Sequence, residues 1–122
     1  MSKNFEMAVL LDFYGDLLTE KQAQALELYY NEDLSLAEIA APLHISRQGV
    51  RDSIKRGEKQ LLEYEAALGL VKRFRDVKTE ISDIREKFQA IENYIQTYIH
   101  SDKLLKAATD LSDRLSAITD KL

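Results

Sequence analysis

Cysteine is absent from this chain of 122 residues, which excludes disulfide frameworks, thiolate metal sites and cysteine nucleophiles. Nothing in the sequence then demands an oxidising compartment, and a cytoplasmic location is the expectation. Long apolar runs are missing as well. No such run, Ala8 to Leu11 included, approaches the ~20 residues that span a bilayer, and the opening MSKNFEM has neither the basic stretch nor the apolar core of a signal peptide. No membrane insertion is expected. Histidine is scarce too: His44 and His100 stand in different segments, and neither has an acidic cluster at ligand spacing, so no metal site is expected. The carboxylate pairs Asp12 with Asp16 and Glu32 with Asp33 read as helix-face and loop residues, and there is no Ser, His and acid constellation or glycine-rich phosphate loop. The chain is therefore expected to be a binding protein without a cofactor, not an enzyme.

Glycine and proline are few and confined. The four glycines and the single proline, Pro42, all precede residue 70, and the last 53 residues contain no strong helix breaker. This divides the sequence into a domain of short punctuated helices, residues 1–69, and a C-terminal helical hairpin, residues 70–122, the two forming one structural unit. With 45% hydrophobic and 31% charged residues the composition suits a globular helical protein and disfavours disorder.

Local signals place the helices of the first part. Phe5, Val9 and Phe13 recur every four residues over roughly 3–14, with Leu10, Tyr14 and Leu17 widening the apolar face and Gly15 suiting the end. Thr19 with Gln22 and Ser35 with Glu38 form capping boxes that open a second helix, through Ala23, Leu26 and Tyr30, and a third, through Leu36, Ile39, Ala40 and Leu43. Ser46 caps a fourth helix whose buried stripe is Val50, Ile54, Leu61 and Leu62. The aromatics Phe5, Phe13, Tyr29 and Tyr30 are assigned to the core, and Tyr64, Tyr94 and Tyr98 to packing.

Beyond residue 69 the pattern becomes a heptad. Leu70, Phe74, Val77, Ile81, Ile84, Phe88, Ile91, Ile95 and Tyr98 alternate spacings of four and three, a seam of about 42 Å at ~1.5 Å per residue. Leu104, Ala108, Leu111, Leu115, Ile118 and Leu122 repeat that spacing after Ser101, a further N-cap. Two such segments joined by a polar turn predict an antiparallel hairpin. Its longer seam has a surplus that could pack on the first helices or on a second copy, and a homodimer is expected.

Charge is unevenly spread over the net −4. Residues 1–43 carry two basic and eight acidic side chains, whereas residues 44–60 carry five basic and two acidic. A polyanion would thus be drawn only to the second segment. There, SLAEIAAPLHISRQGVRDSIKR has the form of a helix-turn-helix: two short helices, the second capped by Ser46 and rich in Arg, Gln and Lys, around an inner face of Ile39, Ala40, Leu43, Ile45, Val50 and Ile54. Arg47, Gln48 and Arg51 on the first turns are the candidate readers of base edges, since Arg can bond guanine twice and Gln can pair with adenine. Lys55, Arg56 and Lys59 are placed for phosphates, as are the backbone N–H groups after Ser46. Asp52, on the same face, opposes phosphate.

The stretch LTEKQAQALELYYNEDLSLAEIAAPLHISRQGVRDSIKRGEKQL resembles the fourth conserved region of bacterial sigma factors. DFYGDLLTEKQ, SRQGVRDSIKR and EKQLLEYEAALGL are more similar still to the YlxM type of small bacterial proteins, over about residues 5–70. The resemblance implies an all-α protein with a sigma region 4-like helix-turn-helix bundle, to which the heptad spacing adds the hairpin that follows. It also implies DNA binding and regulation, and a link through gene neighbourhood to the signal recognition particle, whose RNA or protein would be the alternative partner.

Three positions depart from the helix-turn-helix pattern. His44 stands where the turn often has Gly, and a left-handed conformation there costs roughly 1 kcal/mol. Pro42 should end the third helix early or distort its last turn. Gly49 should weaken the first turn of the fourth helix by up to ~1 kcal/mol.

Overall fold

The structure, a computed structural model, describes residues 3–122; Met1 and Ser2, the start of the MSKNFEM stretch, lie outside the described residues. The described chain is all-helical: α1 (Phe5–Tyr14), a 3-10 turn (Gly15–Leu17), α2 (Glu20–Tyr30), α3 (Leu36–Leu43), α4 (Arg47–Leu68), α5 (Leu70–Tyr98) and α6 (Asp102–Lys121). It divides into two compact units, one ending at Val71 and one spanning Lys72–Leu122.

Polar side chains set the helix starts of the first unit, as their spacing predicts. Thr19 accepts from the backbone N–H of Gln22 at 3.2 Å while the Gln22 side chain accepts from the Thr19 N–H at 3.4 Å. Ser35 and Glu38 make the same reciprocal pair at 3.2 Å in both directions. Each pair satisfies two of the donors that a helix start leaves without intrahelical partners.

Helix α4 is the hub. Val50, Ile54 and Leu61 are fully buried, and Ile39 of α3 and Ala25 and Leu26 of α2 meet them with no exposed surface. Gly57 completes this stripe. A Cβ there would stand 2.6 Å from Leu26 Cδ1, so α2 and α4 approach as closely as they do because position 57 has no side chain. Leu62, expected on the stripe, is half exposed, since the buried line runs through 50, 54, 57 and 61.

The face that α1 buries also differs from the expected one. Met7, Leu10, Leu11 and Tyr14 are buried, whereas Phe5 is 81% exposed and Phe13 and Leu17 are exposed. In FEMAVLLDFY only Glu6 and Asp12 are charged. Apolar residues therefore surround the helix, and packing rather than periodicity selects the face. Tyr29 is buried and Tyr30 half-buried, as expected of core aromatics.

Tyr14 does more than fill space. Its hydroxyl donates to Glu65 Oε1 at 2.5 Å and accepts from the Leu70 N–H at 3.1 Å, and the same Glu65 oxygen accepts from the Val71 N–H at 3.0 Å. With Gly69 left-handed at φ 61° ending α4, these side chains supply partners to the first N–H groups of α5.

In the second unit α5 and α6 form a hairpin, with Ser101 capping α6 through the Leu104 N–H at 3.3 Å. Phe74, Ile81, Phe88 and Ile95 are the less exposed heptad positions of α5, and Ala108 of α6 is buried. The α6 seam is rotated from the expected one. Leu105, Ser112 and Thr119 flank Ala108, Leu115 and Leu122 on the sheltered side, and Leu104, Leu111 and Ile118 are exposed. The rotation brings Ser112 to α5, where its hydroxyl donates to Glu92 Oε2 at 3.2 Å. Tyr94 and Tyr98, expected as packing residues, are exposed and lie against each other with ring centroids 4.9 Å apart.

Candidate nucleic-acid interface

Helices α3 and α4 and the turn between them form the helix-turn-helix. The turn is closed by His44, left-handed at φ 56°, whose N–H reaches Ala41 O at 3.2 Å while the Ile45 N–H reaches Ala40 O at 3.2 Å. This pairing of two consecutive N–H groups with carbonyls of the last turn is the usual Schellman closure, here with His in the position most often given to Gly. Pro42 lies inside α3, which continues through Leu43, contrary to the expected early end. The Schellman bonds close the last turn although proline removes its own N–H from the ladder.

Ser46 lies in extended conformation and accepts from the Gly49 N–H at 2.9 Å, so its hydroxyl is engaged as the cap of α4. A Cβ at Gly49 would stand 3.2 Å from that hydroxyl oxygen and 3.6 Å from Ile45 Cβ. The glycine is thus matched to a crowded first turn, where the cap folds back on the helix.

Ile39, Val50 and Ile54 are fully buried, and Ala40, Leu43 and Ile45 pack partly buried against them, as the expected inner face requires. Anchoring that face leaves Arg47, Gln48, Arg51, Lys55, Arg56 and Lys59 exposed. Arg47 and Lys59 are separated along the axis by about 18 Å. Among the described residues none of the five basic side chains is in an ion pair.

The two acids of this segment have different roles. Glu58 points inward and accepts from the Tyr30 hydroxyl at 2.7 Å; burial first, and this bond second, raise the Tyr30 hydroxyl well above its ordinary range. Asp52 faces outward and accepts from Gln48 Nε2 at 3.0 Å. The exposed surface of α4 between Ser46 and Lys59 therefore presents five positive charges against one negative.

One basic residue beyond the expected set belongs to the same surface. Lys21, in the first turn of α2, and Arg56 of α4 line an open cleft of about 440 Å³, with Gln22, Gly49, Asp52 and Ser53 also on its walls. No spacing in the sequence relates Lys21 to Arg56; only the packing of α2 on α4 brings them together. Glu38, at the start of α3, has its carboxyl held below the usual range by the hydrogen bonds of Ser35, as its capping role demands. Among the described residues no group of His, Asp and Glu could hold a metal ion, and no helix is long and apolar enough to cross a membrane.

A capped helix with an exposed basic face, set on a second short helix through a left-handed turn, defines a helix-turn-helix protein. The chain belongs to the family described as "Putative helix-turn-helix protein, YlxM / p13 like", whose model matches residues 1–101. Similar proteins include a UPF0122 protein of Acetivibrio thermocellus, 50% identical over 92 residues that cover 75% of this chain and 79% of the relative. A UPF0122 protein of Clostridium perfringens is 47% identical over 103 residues, covering 81% and 91%, and one of Clostridium kluyveri is 45% identical over 103 residues, covering 84% and 86%.

Proposed function

We propose that this protein is a cytoplasmic, non-enzymatic regulator that binds DNA through α4 as a homodimer. The observation that carries the reading is the exposed face of α4 between Ser46 and Lys59, where five basic side chains without ion pairs among the described residues surround one outward acid, Asp52. In this reading Ser46 sets the helix start, Arg47, Gln48 and Arg51 reach base edges, and Lys55, Arg56 and Lys59 hold phosphates, with Lys21 adding a backbone contact beside Arg56.

The test is a binding titration of a duplex library at several salt concentrations. One site preferred over random duplex by at least ~10³-fold is expected, with a log–log salt slope of up to about −4.5 per copy if all five cations of α4 meet phosphates. Arg51→Ala should relax discrimination at one base position by ~1–3 kcal/mol, whereas Lys59→Ala should weaken all sequences alike and reduce the slope by about 1. Equal, weak binding to every duplex would sink the reading.

The Gln48–Asp52 bond favours one alternative, an accessory factor of the signal recognition particle that keeps the helix-turn-helix as a scaffold. A reader side chain held by its neighbour suits recognition of shape and phosphate, the mode by which folded RNA is recognised. Tighter binding to the particle's RNA or protein than to any duplex would select that reading.

A further inference from the structure

We propose that one face of the α5–α6 hairpin is the surface through which two copies of this chain pair, closing two hairpins into a four-helix bundle. The proposal deepens the dimer in the reading above and rests on that part of it alone, not on DNA binding.

The geometry follows from one hydrogen bond. Along α5 the sheltered heptad positions are Phe74, Ile81, Phe88 and Ile95, and along α6 they are Ala108, Leu115 and Leu122, flanked by Leu105, Ser112 and Thr119. Glu92 and Ser112 each lie four residues after a sheltered position, Phe88 and Ala108, and they meet at 3.2 Å. The +4 positions of the two antiparallel helices thus share one edge of the hairpin, so the +3 positions must share the opposite edge. On α5 those are Val77, Ile84, Ile91 and Tyr98. On α6 they are Leu104, Leu111 and Ile118. All are 40–70% exposed.

Each row repeats every seven residues without a break, over about 32 Å of α5 and 21 Å of α6. A row that keeps a seven-residue period stays in register only with another supercoiled helix, and two parallel rows call for two such helices. A second copy of the hairpin supplies them in matching lengths and with matching rows, which is the requirement of an isologous two-fold contact. Charge does not oppose it, since Lys72–Leu122 carries ten basic and nine acidic side chains. Covering seven side chains of roughly half exposure removes on the order of 500 Å² of apolar surface per copy, which with a polar rim approaches the ~800 Å² per partner of a specific interface. A patch of this size is also at the upper end of what monomers leave uncovered.

Sedimentation equilibrium of the full chain is expected to give twice the 14.0 kDa chain mass, and the double variant Ile84→Lys, Ile91→Lys is expected to give a single chain mass with an unchanged helical circular dichroism signal. Because the chain has no cysteine, single thiols give a second measurement that does not depend on lysine being tolerated. The thiols of Ile84→Cys and Leu111→Cys should react with a maleimide at least tenfold more slowly once the dimer has formed, while that of Asn93→Cys, on the far side of α5, should not change. A wild-type protein that remains a single chain at 100 µM overturns both the pairing and its surface, and assigns the face to a different partner. A dimer in which the 84 and 111 thiols stay as reactive as the 93 thiol overturns the surface and leaves the pairing standing.

Discussion

The two units close their apolar residues differently. In the unit ending at Val71, Ala25, Leu26, Ile39, Val50, Ile54 and Leu61 have no exposed surface, because four helices contribute to one core. In Lys72–Leu122 the large heptad residues are at best half-buried and only Ala108 is buried. Two helices can shelter one line of contact, and a heptad repeat carries two. Periodicity alone therefore reports that a surface will be covered without saying whether the same chain covers it.

The largest effect expected from this contrast is a difference between two isoleucines. Ile54→Ala should cost ~2–5 kcal/mol in denaturant unfolding, as large-to-small changes in a filled core do, whereas Ile84→Ala should cost under ~1 kcal/mol at concentrations too low for association. Equal costs would mean that the hairpin is as closed as the bundle. Gly57→Ala should come next. The added methyl gains up to ~1 kcal/mol of helix propensity but overpacks Leu26 by ~1–3 kcal/mol, for a net loss of up to about 2 kcal/mol. If the variant is instead more stable, the approach of α2 to α4 is less tight than the 2.6 Å spacing implies.

A smaller change is expected on the basic face. Asp52→Ala removes its one outward acid and should tighten non-specific duplex binding by ~0.5–1 kcal/mol at low salt, an advantage that disappears by about 1 M salt. The smallest at neutral pH concerns the buried hydroxyls. Burial, ahead of the Glu65 and Glu58 hydrogen bonds, raises both Tyr14 and Tyr30 above the ordinary tyrosine value of about 10. The stability they contribute is whole below pH 10 and is lost as pH rises from there toward their native values. Circular dichroism at increasing pH should show a decline beginning near pH 10 that is shallower in Tyr30→Phe; an identical decline in that variant would assign the alkaline loss elsewhere.

The parts of this molecule that were legible in its sequence are those set by near neighbours. The caps at Thr19, Ser35, Ser46 and Ser101 each need only a partner three residues on, and His44 occupies the left-handed turn that the motif's spacing demands. The exposure of Arg47, Arg51, Lys55 and Lys59 was legible because Val50 and Ile54 fix which side of α4 is buried. What was not legible depends on contacts between segments. Nothing local marks Gly57 as the point where α2 comes close, or aligns Lys21 with Arg56. In α1 and α6 more than one apolar column was available, and the columns that are buried are those that bring Tyr14 to Glu65 and Ser112 to Glu92. The Gln48–Asp52 bond is the intermediate case: its i, i+4 spacing is visible in the sequence, but the spacing does not say that the amide uses it.

That bond also bears on how selective a groove-reading α4 can be. A buried reader that has no partner except the correct base makes every wrong base costly, since its donors are then orphaned. Gln48 keeps Asp52 as a resting partner at 3.0 Å. On a mismatched sequence its amide would simply stay where it is, so the penalty for error is small, and engaging adenine becomes an exchange of one hydrogen bond for another. Discrimination would then fall chiefly to Arg47 and Arg51, which have no such place to return to.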